Sequence, residues 1–156
     1  MFSFVVKRVG FLKDIPLCAI IFDSFMRFWM FLTKPELLDW IDDLEENVTR
    51  MPGTTIGIHK YGGTEFNYMG REFAHVHSNG LLDILLNTEL KNSLMTEGKI
   101  KDHHVFKNSG WISFYLQNKQ DVGYACYLLH KAYDRIKQKQ DSMQLSPFVC
   151  RLQSGV

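Results

Sequence analysis

The hydrophobic period of this chain changes at Thr54, and that change sets the fold class. Before it, "TKPELLDWIDDLEENVTR" (33–50) spaces Leu37, Leu38, Ile41, Leu44 and Val48 three or four residues apart, the stripe of a helix lying on a core. Asp39, Asp42, Asp43, Glu45 and Glu46 fill the remaining positions as a solvated face. Thr33 as N-cap, Pro35 in the first turn and Glu36 completing a capping box predict a capped start. Pro52-Gly53 ends the run. From Thr54 the pattern alternates. "TTIGIHK", "TEFNY" and "REFAHVH" read as strands, the last two joined by a tight turn at Met69-Gly70. "SNG" (78–80) leads into a fourth strand, "LLDILL". "TELKNSLMTEG" is a short helix with Leu90 and Leu94 inward and Gly98 as its stop. "GWISFYL" is a fifth strand. A last helix opens at Asn118–Asp121 and presents Val122, Ala125, Leu129, Tyr133 and Ile136 on one side.

This order predicts a single α+β domain over 33–140, with about five mostly antiparallel strands and helices packed on one side of the sheet. An apolar, aromatic helical segment (1–32) precedes it, and a loose polar tail (141–156) follows. A chain of 156 residues, 46% hydrophobic and 13% aromatic, is long enough to bury a core without staples. Its 18 basic and 17 acidic residues nearly cancel, which disfavours nucleic acid as a partner, because phosphate neutralisation dominates such binding. Cys18, Cys126 and Cys150 form no CxxC and no zinc-finger spacing. They are expected as free thiols in a reducing, cytoplasmic compartment, Cys126 as a small buried residue of the last helix.

The segment "IPLCAIIFDSFMRFWMFL" (15–32) approaches the length of a membrane span. Asp23 and Arg27 interrupt it on one helical face, each worth about 2.5–3.5 kcal/mol against insertion. Three readings stay open: a helix docked on the domain or a partner, an aromatic helix lying at a membrane surface beside Lys7, Arg8 and Lys13, and a true span. Peripheral membrane association and oligomerisation through this segment are therefore both open.

The candidate site lies in "REFAHVHSNGLLDILL" (71–86). Alternation puts Arg71, Phe73, His75 and His77 on one face. A two-residue Met69-Gly70 turn pairs Phe66 with Phe73 and Thr64 with His75. A three-residue "SNG" loop sets His75 opposite Asp83, whereas an Asn79-Gly80 turn sets Val76 there. In the first register His75, His77 and Asp83 have the composition of a zinc site or a facial triad. His103 and His104, ahead of Trp111, can approach the same face. The candidate ligand-binding residues are Arg71, His75, His77, Asp83, His104 and Trp111, the metal set is His75, His77 and Asp83, and the identity of any cofactor is left open. Glu65 and Glu72 read as exposed. There is no nucleophile elbow, P-loop, GxGxxG or HExxH. Gly62-Gly63 opens no helix and serves a turn of positive φ.

"GGTEF" (62–66), "GREFAHVH" (70–77), "NGLLDI" (79–84), "HH" (103–104), "SGWISFYL" (109–116) and "LLHKAYDR" (128–135) together resemble the luciferase-domain family. The resemblance implies the α+β domain and carries no site residue over with it. The element order is also similar to MmcQ/YjbR-like double-wing domains, proposed to bind DNA; the charge balance here argues against that role. Three functions follow as expectations: a non-catalytic module binding a small molecule or protein partner, a metal-dependent, luciferase-like oxidoreductase using His75, His77 and Asp83, and an interaction or membrane-surface platform working through residues 1–32.

Overall fold

Six antiparallel strands form one open sheet in the order β1-β2-β3-β4-β6-β5. The computed structural model describes the backbone of residues 16–153 except 99, 104, 105 and 107, and side chains within that range except those of 16, 17, 19 and 144–153. Residues 1–15 and His104 thus lie outside the described residues. The elements are α1 (Pro16–Thr33), α2 (Pro35–Thr49), β1 (Thr54–Ile58), β2 (Thr64–Tyr68), β3 (Arg71–Val76), β4 (Leu81–Leu85), α3 (Thr88–Met95), β5 (Lys101–Asp102), β6 (Trp111–Tyr115) and α4 (Gln120–Gln153). The architecture is the expected α+β domain, with β5 as a short sixth strand. Two residues are too few to show a period.

Antiparallel pairing sorts the strands into two faces. On one, Phe66, Ala74, Val76, Leu82, Ile84, Ile112 and Phe114 meet Leu37, Ile41, Leu44 and Val48 of α2 and Ala125, Leu128, Leu129 and Ala132 of α4, all buried. Each fully buried Leu, Ile or Phe contributes roughly 1.5–3 kcal/mol relative to exposure, so this face holds the fold together. Tyr133 of α4 donates to Pro52 O at 2.9 Å and sets its ring edge-on to Tyr68. Asp121 caps the start of α4, accepting from the Gln117 and Asn118 amides. Cys126 is partly buried, and burial followed by the Asp43 charge pushes its thiol pKa up, which suits an unreactive packing residue.

Three local expectations need correction. Thr33 does not cap α2: it ends α1, and its hydroxyl donates back to Trp29 O at 2.8 Å. Pro35 keeps Lys34 out of the helical region (φ −150°, ψ 62°) and so breaks the chain between the two helices. Nor is the chain beyond 140 a loose tail, since α4 continues to Gln153. Finally, β3 carries a bulge. Asn67 pairs with Glu72 but Phe66 with Ala74, leaving Phe73 as the extra residue. Phe73 is buried against Tyr133 on the helix side, and Arg71, opposite Tyr68, is exposed on that side with its Nη1 4.0 Å from Met143 Sδ. Arg71, Phe73 and His75 therefore do not share a face, and the predicted Phe66–Phe73 and Thr64–His75 pairings give way to Phe66–Ala74 and Thr64–Val76.

Helix α1 lies against α2 and the ends of β1–β2 and β3–β4. Arg27 pairs with Asp42 of α2 at 3.6 Å, and Asp23 reaches the two turns. Among the described residues no helix is long and apolar enough to cross a membrane.

Candidate functional site

The sheet face turned away from α2 and α4 carries one row through all six strands, polar on every strand but β1. Gly57 pairs with Glu65, Glu65 with His75, His75 with Asp83, Asp83 with Ser113, and Ser113 with Lys101. The three-residue loop at 78–80 gives the His75–Asp83 register, with His77 N donating to Leu81 O. His75, Asp83 and Ser113 are all buried. Trp111, two residues before Ser113, lies over them, its ring centroid 5.6 Å from His75 and 6.0 Å from His103.

His75 is held between two carboxylates. Its Nδ1 is 2.6 Å from Glu72 Oε1, and its Nε2 is 3.4 Å from Asp83 Oδ2, an ionic contact longer than a good hydrogen bond. Burial works against charge on this imidazole, but the Asp83 and Glu72 carboxylates outweigh it and raise the pKa to about 9. Burial likewise opposes ionisation of Glu72 and Asp83; pairing with His75, and for Asp83 the Ser113 hydroxyl, wins and holds both below the usual carboxylate range. Asp83 Oδ1 accepts from that hydroxyl. Its Oδ2 is 3.6 Å from His103 Nε2 and has no well-formed hydrogen bond among the described residues. His103 Nδ1 accepts from the Phe106 amide at 3.1 Å, which puts the ring proton on Nε2, facing Asp83.

Two further imidazoles flank His75. His59 stacks on it almost parallel, centroids 4.0 Å apart at 7°, and His77 stands edge-on to both, at 5.1 Å from His75 and 6.0 Å from His59. Burial and then the His75 charge lower the pKa of both; that of His77 falls to about 4. His59 Nδ1 is buried without a hydrogen-bond partner among the described residues. One ligating atom from each of His59, His75 and His77 lies within 4.8 Å of the others, and His59, Glu65 and Glu72 form a second such set.

The structure thus brings His75, His77, Asp83 and Trp111 together, excludes Arg71, and exchanges Asp83 for His59 in the ligating set. His59 is three strands away from Asp83 in the sheet, and single-strand alternation gives no reason to join it to His75. The joining device is the turn at 59–63. Gly63 sits at φ +85° so close to β3 that a Cβ would fall 2.2 Å from Val76 O, which lets the turn fold down beside β3. Glu72 is not the exposed residue that alternation predicts: the bulge at Phe73 turns it toward His75 while leaving the apparent alternation of "REFAHV" intact. His103 takes its place beside Asp83, as the sequence allowed.

Residues 70–132 match the Luciferase domain family. No curated protein and no solved structure matches the chain. The Luciferase-domain segment contains His75, His77, Asp83, His103, Trp111 and Ser113, while His59, Glu65 and α1 lie outside it. The three-imidazole cluster is therefore assembled across the edge of the family match.

Proposed function

We propose that this chain is a non-catalytic ligand-binding α+β module whose ligand is one divalent first-row transition ion, zinc foremost, held by His59, His75 and His77. The observation that carries this reading is that three buried or half-buried histidines each bring one ligating atom within 4.8 Å of the others. Zinc holds imidazole nitrogens at about 2.0–2.1 Å through lone pairs in the ring plane, so binding requires the nearly parallel His59 and His75 rings to rotate out of their stack as well as to close in. Borderline nitrogen donors in this number suit zinc, copper, nickel or iron and not magnesium or calcium.

The surroundings favour a ligand role. Whichever ring nitrogen His75 gives to an ion, the other keeps a carboxylate, Glu72 or Asp83, the outer-shell pattern that orients metal-bound histidines. His59 and His77, with their lowered pKa values, are neutral at pH 7 and ready to donate lone pairs. His75 must give up a proton, so affinity rises with pH. Glu65 and Glu72 beside His59 supply compensating negative charge.

Elemental analysis of the purified full chain, followed by zinc titration, tests the reading. Near one equivalent per chain is expected, abolished in His59→Gln/His77→Gln with the fold retained. A folded, metal-free protein that takes up no zinc would refute it. The family's name favours a second reading, a metal-dependent oxidoreductase with oxygen as co-substrate. Iron(II)-loaded protein that consumes oxygen only with its histidines intact would put that reading first.

A further inference from the structure

We propose that Asp23 is a positioning residue for the three-histidine site, and that α1 is the strap that carries it; the effect on metal affinity rests on the reading above. Asp23 sits 40 and 55 residues from its partners. Its Oδ2 accepts from the Gly63 amide at 2.8 Å and from the Ser78 hydroxyl at 2.8 Å, and its Oδ1 accepts from the Ser78 amide at 3.3 Å. These partners belong to the two turns that present the outer imidazoles. Gly63 closes the turn begun by His59, through His59 N to Gly63 O at 3.1 Å and Gly62 N to His59 O at 2.9 Å. Ser78 follows His77, whose own carbonyl accepts from Gly80 N at 2.9 Å. One carboxylate therefore spans both turns.

The seating of α1 shows why this carboxylate matters. A helix that packs on a core turns its apolar stripe inward. Here the partly buried positions from Ile20 on are Ile20, Asp23, Met26 and Met30, with Met30 packed on the core and Ile20 and Asp23 over a cleft of about 360 Å3 bounded below by Ile56, Ile58 and Glu45, while Phe25, Phe28, Trp29 and Phe31 are each more than half exposed. The Arg27–Asp42 pair is largely solvated, the kind of contact that contributes little. Met30 and the Asp23 carboxylate both seat α1, and the three bonds of Asp23 are the ones that reach the histidine turns. With Asp23 in place, the turns that carry His59 and His77 are fixed relative to each other before an ion arrives, so ordering their backbone is not charged to binding.

The experiment is zinc titration of the metal-free full chain carrying Asp23→Ala, Asp23→Asn, Ser78→Ala or Asp42→Ala, with amide hydrogen exchange read at Gly63 and Ser78. Asp23→Ala is expected to weaken zinc 10–100-fold at unchanged stoichiometry, the range seen when outer-shell partners are removed. Asp23→Asn, which keeps one acceptor oxygen, and Ser78→Ala should fall between it and wild type. Asp42→Ala, which cuts only the Arg27 pair, should bind as wild type does. Exchange at Gly63 and Ser78 should quicken in Asp23→Ala. Wild-type affinity in the Asp23 variants, or equal weakening by Asp42→Ala, would overturn the positioning role. If wild type binds no zinc, the metal reading fails alone, and the exchange rates decide the strap: unchanged protection in Asp23→Ala would overturn it too. Should Asp23→Ala not fold, Ser78→Ala carries the same test with a smaller expected change.

Discussion

On the helix-covered face, Phe66, Ala74, Ile84 and Ile112 form a fully buried rung across β2, β3, β4 and β6. One residue along each strand, Glu65, His75, Asp83 and Ser113 form the next rung on the opposite face. The first is stabilised by removal of apolar area from water, which no proton alters. The second buries charges that are bearable only as a matched set, because a charge left without its partner pays its full desolvation cost. Neighbouring residues on the same four strands thus do separate work. The apolar rung fixes where the strands lie, and the polar rung uses those fixed positions to hold groups that would otherwise repel or hydrate.

That contrast is sharpest under mutation. Phe66→Ala should cost about 3–5 kcal/mol in chemical denaturation, while the shape of the stability–pH curve stays the same. A changed pH profile would show that the two faces are not independent. Asp83→Asn keeps the shape and removes the charge. It should cost about 2–3 kcal/mol and bring the His75 pKa down from about 9, readable by NMR titration; an unmoved His75 would mean that Glu72 alone holds its proton.

The polar rung also predicts the pH dependence of the metal-free protein. The His75 pKa is raised, so its contribution is complete below about 6.5 and is lost as pH climbs through about 9. The His77 pKa is lowered, so its contribution is complete above about 6.5 and is lost as pH falls toward about 4. The lowered Glu72 and Asp83 add a further loss at lower pH still. Stability should therefore peak near pH 6.5 and fall by about 2–3 kcal/mol on the alkaline side by pH 9. A flat curve from pH 6.5 to 9 would contradict the charged His75. Arg71→Ala should have the smallest effect, within about 0.5 kcal/mol and without change in zinc affinity, because the bulge places it on the other face. A clear loss of affinity would reopen the expectation drawn from alternation alone.

Much of this was legible in the sequence. The change of period at Thr54 marks the helix-to-sheet boundary, and the length of the Ser78–Gly80 loop already offers the His75–Asp83 register. Trp111 shares a strand face with Ser113, so its place over the row follows from alternation. What stayed hidden depends on backbone events that leave no periodic trace. The bulge at Phe73 inserts a residue into a strand whose pattern reads equally well without it, and it alone separates Arg71 from His75 and brings Glu72 in. His59 reaches His75 through a glycine turn lying against a strand that is not its sheet neighbour. Thr33 matches a capping box, yet the helix before it runs on until Pro35 forces the break. Asp23 looked like an interruption in an apolar helix. Its partners, Gly63 and Ser78, lie two turns and several strands later.

X-ray absorption at the zinc edge of the zinc-loaded full chain tests the central claim most directly. The account predicts imidazole scattering from three nitrogen donors at about 2.0–2.1 Å, falling to two in His59→Gln. A first shell of oxygen alone, or of sulfur at about 2.3 Å, would contradict it.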